Sequence, residues 1–104
     1  MHNSYRDDFF NEFPDEKGKV VVHHSIEQQV LKKYPGLFSA SEINILDNLR
    51  GIPKEFNNSV HLSTLRKAWN MFYKNIDSGN IKATRENFKE FAKLLDSLLS
   101  DFFV

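Results

Sequence analysis

From Leu62 onward the apolar positions fall into a regular rhythm. Leu62, Leu65, Trp69, Phe72 and Ile76 are spaced by 3, 4, 3 and 4 residues, which keeps side chains on one face of an α-helix. Asp77-Ser78-Gly79-Asn80 ends that helix. A last helix is predicted from about Arg85 to Phe102, where Phe88, Phe91, Leu94, Leu95, Leu98, Leu99 and Phe102 again follow helical spacing. Upstream the pattern is shorter in range. Residues 4–13 (SYRDDFFNEF) predict a short Phe-rich, acidic helical segment that ends at Pro14, with a turn over residues 15–18. Lys19 to His23 (KVVVH), a β-branched run after a glycine, predicts a strand. Ser25, with Gln28 three residues on, predicts a capping box and a helix from Ile26 to about Lys33. Tyr34-Pro35-Gly36 stops it, because the residue before a proline avoids the helical region. Ser39 and Glu42 form a second capping box, opening a short helix through about Asp47. Residues 48–53 (NLRGIP) read as an extended segment, and Asn57-Asn58-Ser59 as a turn rich in N-cap candidates.

A chain of 104 residues is long enough for one domain. These elements place it in the α+β class, mostly helical, as a single domain over 1–104. With 40% apolar and 27% charged residues the balance is globular. The absence of cysteine excludes a disulfide scaffold, a thiol nucleophile, a Cys-ligated zinc and iron–sulfur chemistry. No apolar run approaches the roughly 20 residues of a membrane span. No basic-then-apolar leader opens the sequence, so export is expected to rest on a larger parent protein or a dedicated secretion machine. The formal net charge is zero, but it is unevenly placed. Residues 1–16 carry one base and five acids, residues 17–82 ten bases and five acids, and residues 83–104 three bases and four acids. A basic middle between acidic ends is compatible with phosphate binding by the middle.

Three of the four histidines lie in that middle. His23 and His24 are adjacent at the exit of the predicted strand, and His61 sits in the first turn of the Leu62–Ile76 helix. Asn48 falls between them, at the start of the extended NLRGIP piece. Imidazole is a natural transition-metal ligand and a natural base near neutral pH. Neighbouring side chains on a strand point to opposite faces, so His23 and His24 are suited to different tasks around one site.

In this order (His23-His24, Asn48 before Ile52-Pro53, and His61 on a helix with Trp69-Asn70 and Phe72-Tyr73) the sequence resembles the HNH/endonuclease VII superfamily, the ββα-metal or His-Me finger nucleases. The nearer likeness is to small nuclease domains at the C-termini of bacterial polymorphic toxins, including contact-dependent inhibition and Rhs-type proteins. The likeness covers about residues 18–76, leaving an N-terminal segment (1–17) and a C-terminal helix (about 84–103) as additions to a small ββα-metal core. The resemblance implies a divalent metal ion, Mg²⁺ or Zn²⁺, held by His23 and His61. It implies that His24 is the general base and that Asn48 holds the hairpin loop and orients His24. Arg50, Lys54, Arg66 and Lys67 are the expected phosphate contacts. It further implies DNA as substrate with RNA as the alternative, and a cognate immunity protein, for which a basic active-site face predicts an acidic surface. Delivery would be as the C-terminal part of a larger secreted toxin that acts in the target-cell cytoplasm. DNase-type colicins carry a further His one helical turn after the last; here that position is Leu65, which cannot ligate.

Taken singly, these residues have plainer readings. Asn48 suits a turn, Glu27 suits the first turn of a helix, and Trp69, Phe72 and Tyr73 suit a core. A non-catalytic interaction module with Phe-rich ends is one alternative. Regulatory DNA binding is another, although the 60–75 helix offers only Arg66, Lys67 and Lys74 on its outer face. Seven of ten Phe lie outside the basic middle, which predicts that the two ends pack on each other.

Overall fold

The computed structural model describes residues 4–103; the side chains of residues 59–62 lie outside that description. The fold is α+β and mostly helical, around one two-stranded antiparallel sheet. Helix α1 (Tyr5–Glu12) starts at Ser4, whose hydroxyl accepts from the Asp7 amide at 3.2 Å. Asp7 and Asp8 in its first turn suit the positive end of the helix dipole.

Strand β1 (Val20–His24) pairs with β2 (Leu49–Pro53), with Val20 opposite Pro53, His23 opposite Arg50 and His24 opposite Leu49. Side chains alternate across a sheet, and directly opposed residues share a face. Val20, Val22 and Leu49 therefore lie on one face, where they bury Phe9 of α1. His23, Arg50 and Ile52 lie on the other, and Ile52 is fully buried in the main core.

The strands are separated by residues 25–48, which hold α2 (Val30–Lys33) and α3 (Ala40–Ile43). The expected helix from Ile26 is thus shortened to one turn. Ser25 caps nothing; its hydroxyl donates to Asp96, 71 positions away, at 3.0 Å. The Ser39–Glu42 capping box is present in both directions. Its helix closes at Asn44, short of the expected Asp47, and a 3₁₀ turn over Leu46–Asn48 leads into β2.

The expected turn at residues 57–59 is also replaced. A 3₁₀ turn over Lys54–Phe56 runs into a π-helical segment, Asn57–Leu65, and then directly into α4 (Arg66–Asp77). His61 thus lies midway along a π-helix rather than in the first turn of an α-helix. α4 buries Trp69, Phe72, Tyr73 and Ile76, the face the spacing predicts. It ends at Ser78, where Gly79 takes φ +85°, the left-handed step that glycine makes without strain.

Helix α5 (Arg85–Leu98) is capped by Thr84, which accepts from the Asn87 amide at 3.1 Å. It buries Phe88, Ala92 and Leu95. Leu94 and Leu98, expected on the apolar face, are 53% and 70% exposed, because a 14-residue helix against one layer needs only one narrow stripe. Trp69 is the centre of the core, edge-on to Phe72 and Phe91 at 5.5 and 4.9 Å between ring centres. The Phe-rich ends do not share a cluster: Phe9 packs with Val20, Val22 and Leu49, whereas Phe88 joins Ile52 and α4. The two ends sandwich the hairpin from opposite sides.

Candidate functional site

The exit of β1 carries two buried imidazoles, His23 at 3% and His24 at 7% exposure. Burying a polar ring is costly unless it is hydrogen-bonded, and His24 has such a partner. Its Nε2 lies 2.9 Å from the Asn44 Oδ1. An amide oxygen only accepts, so His24 Nε2 is the donor in this bond. Gln28 Nε2 donates to the same oxygen at 3.4 Å. Tyr5 of α1 packs edge-on to the His24 ring at 4.4 Å, and the Arg6 guanidinium lies over the Tyr5 ring at 4.8 Å. The resulting order is guanidinium, phenol, imidazole.

These groups border a cleft of about 270 Å³ lined by Tyr5, Arg6, His23, His24, Gln28 and Gln29 among others. Glu27 is part of its wall. The Glu27 carboxylate accepts from the Tyr73 hydroxyl and from Gln29 Nε2, both at 2.6 Å. Burial, then the Glu27 carboxylate, push the Tyr73 hydroxyl far above the ordinary tyrosine pKa, so it remains a donor.

Asn48 is committed to the main chain. Its Oδ1 accepts from the Ile26 amide at 2.9 Å, and its Nδ2 donates to the Ile26 and Ile43 carbonyls at 3.1 and 2.7 Å. Its own carbonyl accepts from the Ser25 amide at 2.8 Å. One amide therefore holds the loop immediately after His24, while the bond to the His24 ring comes from Asn44.

His23, on the opposite face, stacks on Phe103 at 6.2 Å. Its cross-strand neighbour Arg50 is tied down: Nη2 pairs with the Asp96 carboxylate at 2.8 Å, and Nη1 donates to the Asp47 and Leu49 carbonyls. Lys54, Arg66 and Lys67 are exposed. Lys54 follows Pro53 at the other end of the hairpin, its amide bonded to the Lys19 carbonyl. At roughly 3.3 Å per residue, that is about 15 Å from the histidines.

The structure thus gathers His23, His24, Asn48 and Arg50 at one hairpin end, with Lys54 away from it. The His61 side chain lies outside the described residues. Among the described residues, no group of three or more His, Cys, Asp or Glu side chains is placed to hold a metal ion. Tyr5, Arg6, Asn44, Asp96 and Phe103 are neighbours that sequence reasoning missed. The one available signal was Asn44, an amide just past a capping-box helix. Comparison with protein-family models, with curated proteins and with solved structures gives no match.

Proposed function

We propose that the chain is a metal-dependent endonuclease of the ββα-metal, His-Me finger kind, a toxin domain hydrolysing phosphodiester bonds of DNA. The observation that carries this reading is the buried His23-His24 pair at the end of a hairpin whose second strand leads into a helix bearing His61, beside a polar cleft.

In this reading His24 is the general base. The bond to Asn44 orients its ring, and the imidazole would take the proton from the attacking water. Tyr5, edge-on, fixes the ring, and Asn48 fixes the loop behind it. His23 and His61 would hold the divalent ion. Two imidazoles fit a centre completed by water and substrate, and suit Zn²⁺ or an open, water-rich Mg²⁺ site. When bound, the ion neutralises the scissile phosphate and stabilises the leaving 3′ oxygen. Arg6, at the mouth of the cleft, joins Lys54, Arg66 and Lys67 as a phosphate contact. Arg50, paired to Asp96, serves the scaffold first.

Further parts of the proposal are an immunity protein with an acidic surface that complements the basic excess of residues 17–82, and delivery within a larger toxin to the cytoplasm of the target cell. The test is cleavage of plasmid DNA and of structured RNA by the purified protein, with EDTA, Mg²⁺ and Zn²⁺ arms and His24→Ala as control. Metal-dependent cutting that disappears in His24→Ala is expected. Cutting that survives His24→Ala refutes the assignment of the base. No cutting of either nucleic acid with any metal refutes the nuclease reading and favours an interaction module.

A further inference from the structure

Helix α5 lies outside the 18–76 core that the sequence marks out, and its docking is explained by Phe88, Ala92 and Leu95. Those three apolar contacts do not require a carboxylate at the next position. Yet Asp96, half-buried, reaches back to the hairpin and accepts two bonds on one oxygen. Ser25 Oγ donates to Oδ2 at 3.0 Å and Arg50 Nη2 at 2.8 Å. Ser25 is the residue after His24, and Arg50 is the cross-strand partner of His23. One carboxylate oxygen therefore grips the chain next to each histidine, just past the end of β1 and on β2.

A third contact arrives from the same part of the chain, where Phe103 stacks on the His23 ring. The bond from Ser25 also has a local cost. Ser25 has the sequence to open a helix at Ile26, and the helix is absent where the hydroxyl is turned to Asp96. A tertiary bond that displaces a local capping box is one the fold depends on at that point.

We propose that Asp96 is a positioning residue for the His23-His24 pair, which makes the C-terminal helix part of the functional site rather than an appendage. The inference rests on the nuclease reading for its catalytic consequence, but not for its geometric one. Charge-assisted bonds are the stronger kind, and two of them on one oxygen add a side-chain tie across the β1 exit and β2 to the backbone pairing already there. Loss of that grip lets both imidazoles shift, and misplacements of about 1 Å cost up to ~10²-fold in rate.

The experiment compares the full chain with Asp96→Ala, Asp96→Asn and Ser25→Ala. Long-range imidazole ¹H–¹⁵N spectra read the histidines, and metal-dependent cleavage reads kcat and KM separately. Intact folding is checked by Trp69 fluorescence. In Asp96→Ala the His23 and His24 ring nitrogens are expected to shift, and kcat to fall about tenfold or more with KM within about twofold. Asp96→Asn keeps an oxygen for Ser25 and Arg50 and is expected to restore most of both signals. Ser25→Ala removes one arm and is expected to fall between. If Asp96→Ala does not fold, the Asp96→Asn and Ser25→Ala spectra and rates decide the question. A folded Asp96→Ala with unmoved imidazole signals and unchanged kcat overturns the proposal, as does a Ser25→Ala protein identical to the parent. If the parent chain cleaves nothing, the nuclease reading falls, and the imidazole spectra alone decide the role of Asp96.

Discussion

Replacing Asn48 by alanine should be among the most destabilising polar substitutions in the chain. The side chain makes three bonds to main-chain groups of Ile26 and Ile43, both buried residues, at 8% and 1% exposure. A net intramolecular hydrogen bond contributes ~1 kcal/mol, and a buried donor left unpaired costs ~1–3 kcal/mol. With partial relaxation and water entry, the expected loss is about 2–4 kcal/mol, a large part of the roughly 5–15 kcal/mol that holds a domain folded. In urea, at a slope of about 2 kcal/mol/M, the midpoint should fall by roughly 1–2 M. Trp69, fully buried at the centre of the core, is the fluorescent reporter.

Asn48→Asp separates the donor from the acceptor role. It keeps an oxygen for the Ile26 amide but sets a carboxylate against two carbonyl oxygens now 2.7 and 3.1 Å from a donor. Near neutral pH it should be at least as damaging as alanine, and it should recover in acid as the carboxyl protonates and donates again. A midpoint shift below about 0.3 M for Asn48→Ala, or an Asn48→Asp protein as stable as the parent, would refute the reasoning.

Two further expectations concern pH. Burial and then the bond to Asp77 push Tyr34 up to about 12, and burial pushes Tyr73 higher still. In the unfolded chain both ionise near the ordinary value of 10, so the folded state binds more protons above that point. The contribution of the two tyrosines should therefore be constant below pH 10 and fall as pH rises toward 12. Urea midpoints measured across that range should decline, and less so in a Tyr34→Phe, Tyr73→Phe double variant. At the acid end, the Arg85 hydrogen bond, helped by the Ser39 amide, holds Glu42 down to about 2. This depressed carboxyl contributes stability above its ordinary value of 4.5 that is lost as pH falls toward 2. An NMR titration of the Glu42 carboxyl should show the low midpoint, and Arg85→Gln should raise it. An unchanged midpoint would mean that the capping box alone sets it.

What could be read in the sequence was what local physics decides. The spacing of Leu65, Trp69, Phe72 and Ile76 gave the buried face of α4 because a helix against a core must bury one stripe. The Ser39–Glu42 box formed as written. KVVVH became a strand, displaced by one residue. The failures lie where a distant partner outbid a local one. Ser25 had the letters of an N-cap, but Asp96 holds its hydroxyl. Asn57-Asn58-Ser59 had the letters of a turn, but the chain leaves β2 already coiled and continues as a π-helix. A nine-residue π-helix is a rare form, and no short window of sequence signals it.

The candidate site divides the same way. His23, His24 and Asn48 were visible because they are bunched at element boundaries. Tyr5 and Arg6 were not, because nothing in the sequence says that α1 covers the His24 face of the hairpin, and Asn44, though marked as an amide just past a capping-box helix, carries no sign that α3 ends beside that ring.

The insertion of residues 25–48 between the paired strands also bears on the order of folding. A two-residue hairpin closes almost on its own; here the ends of a long loop must meet first, at an added closure cost of about 2 kcal/mol. The π-segment, α4 and α5 follow one another in the chain and can collapse through near neighbours. The hairpin pairing waits on contacts such as Asn48 with Ile26, so the two histidines are set against β2, Asn44 and Tyr5 late, by contacts of high sequence separation. A half-folded chain would already hold its aromatic core, yet lack the surroundings that fix the two imidazoles. Refolding followed at Trp69 should therefore run ahead of refolding followed at His24.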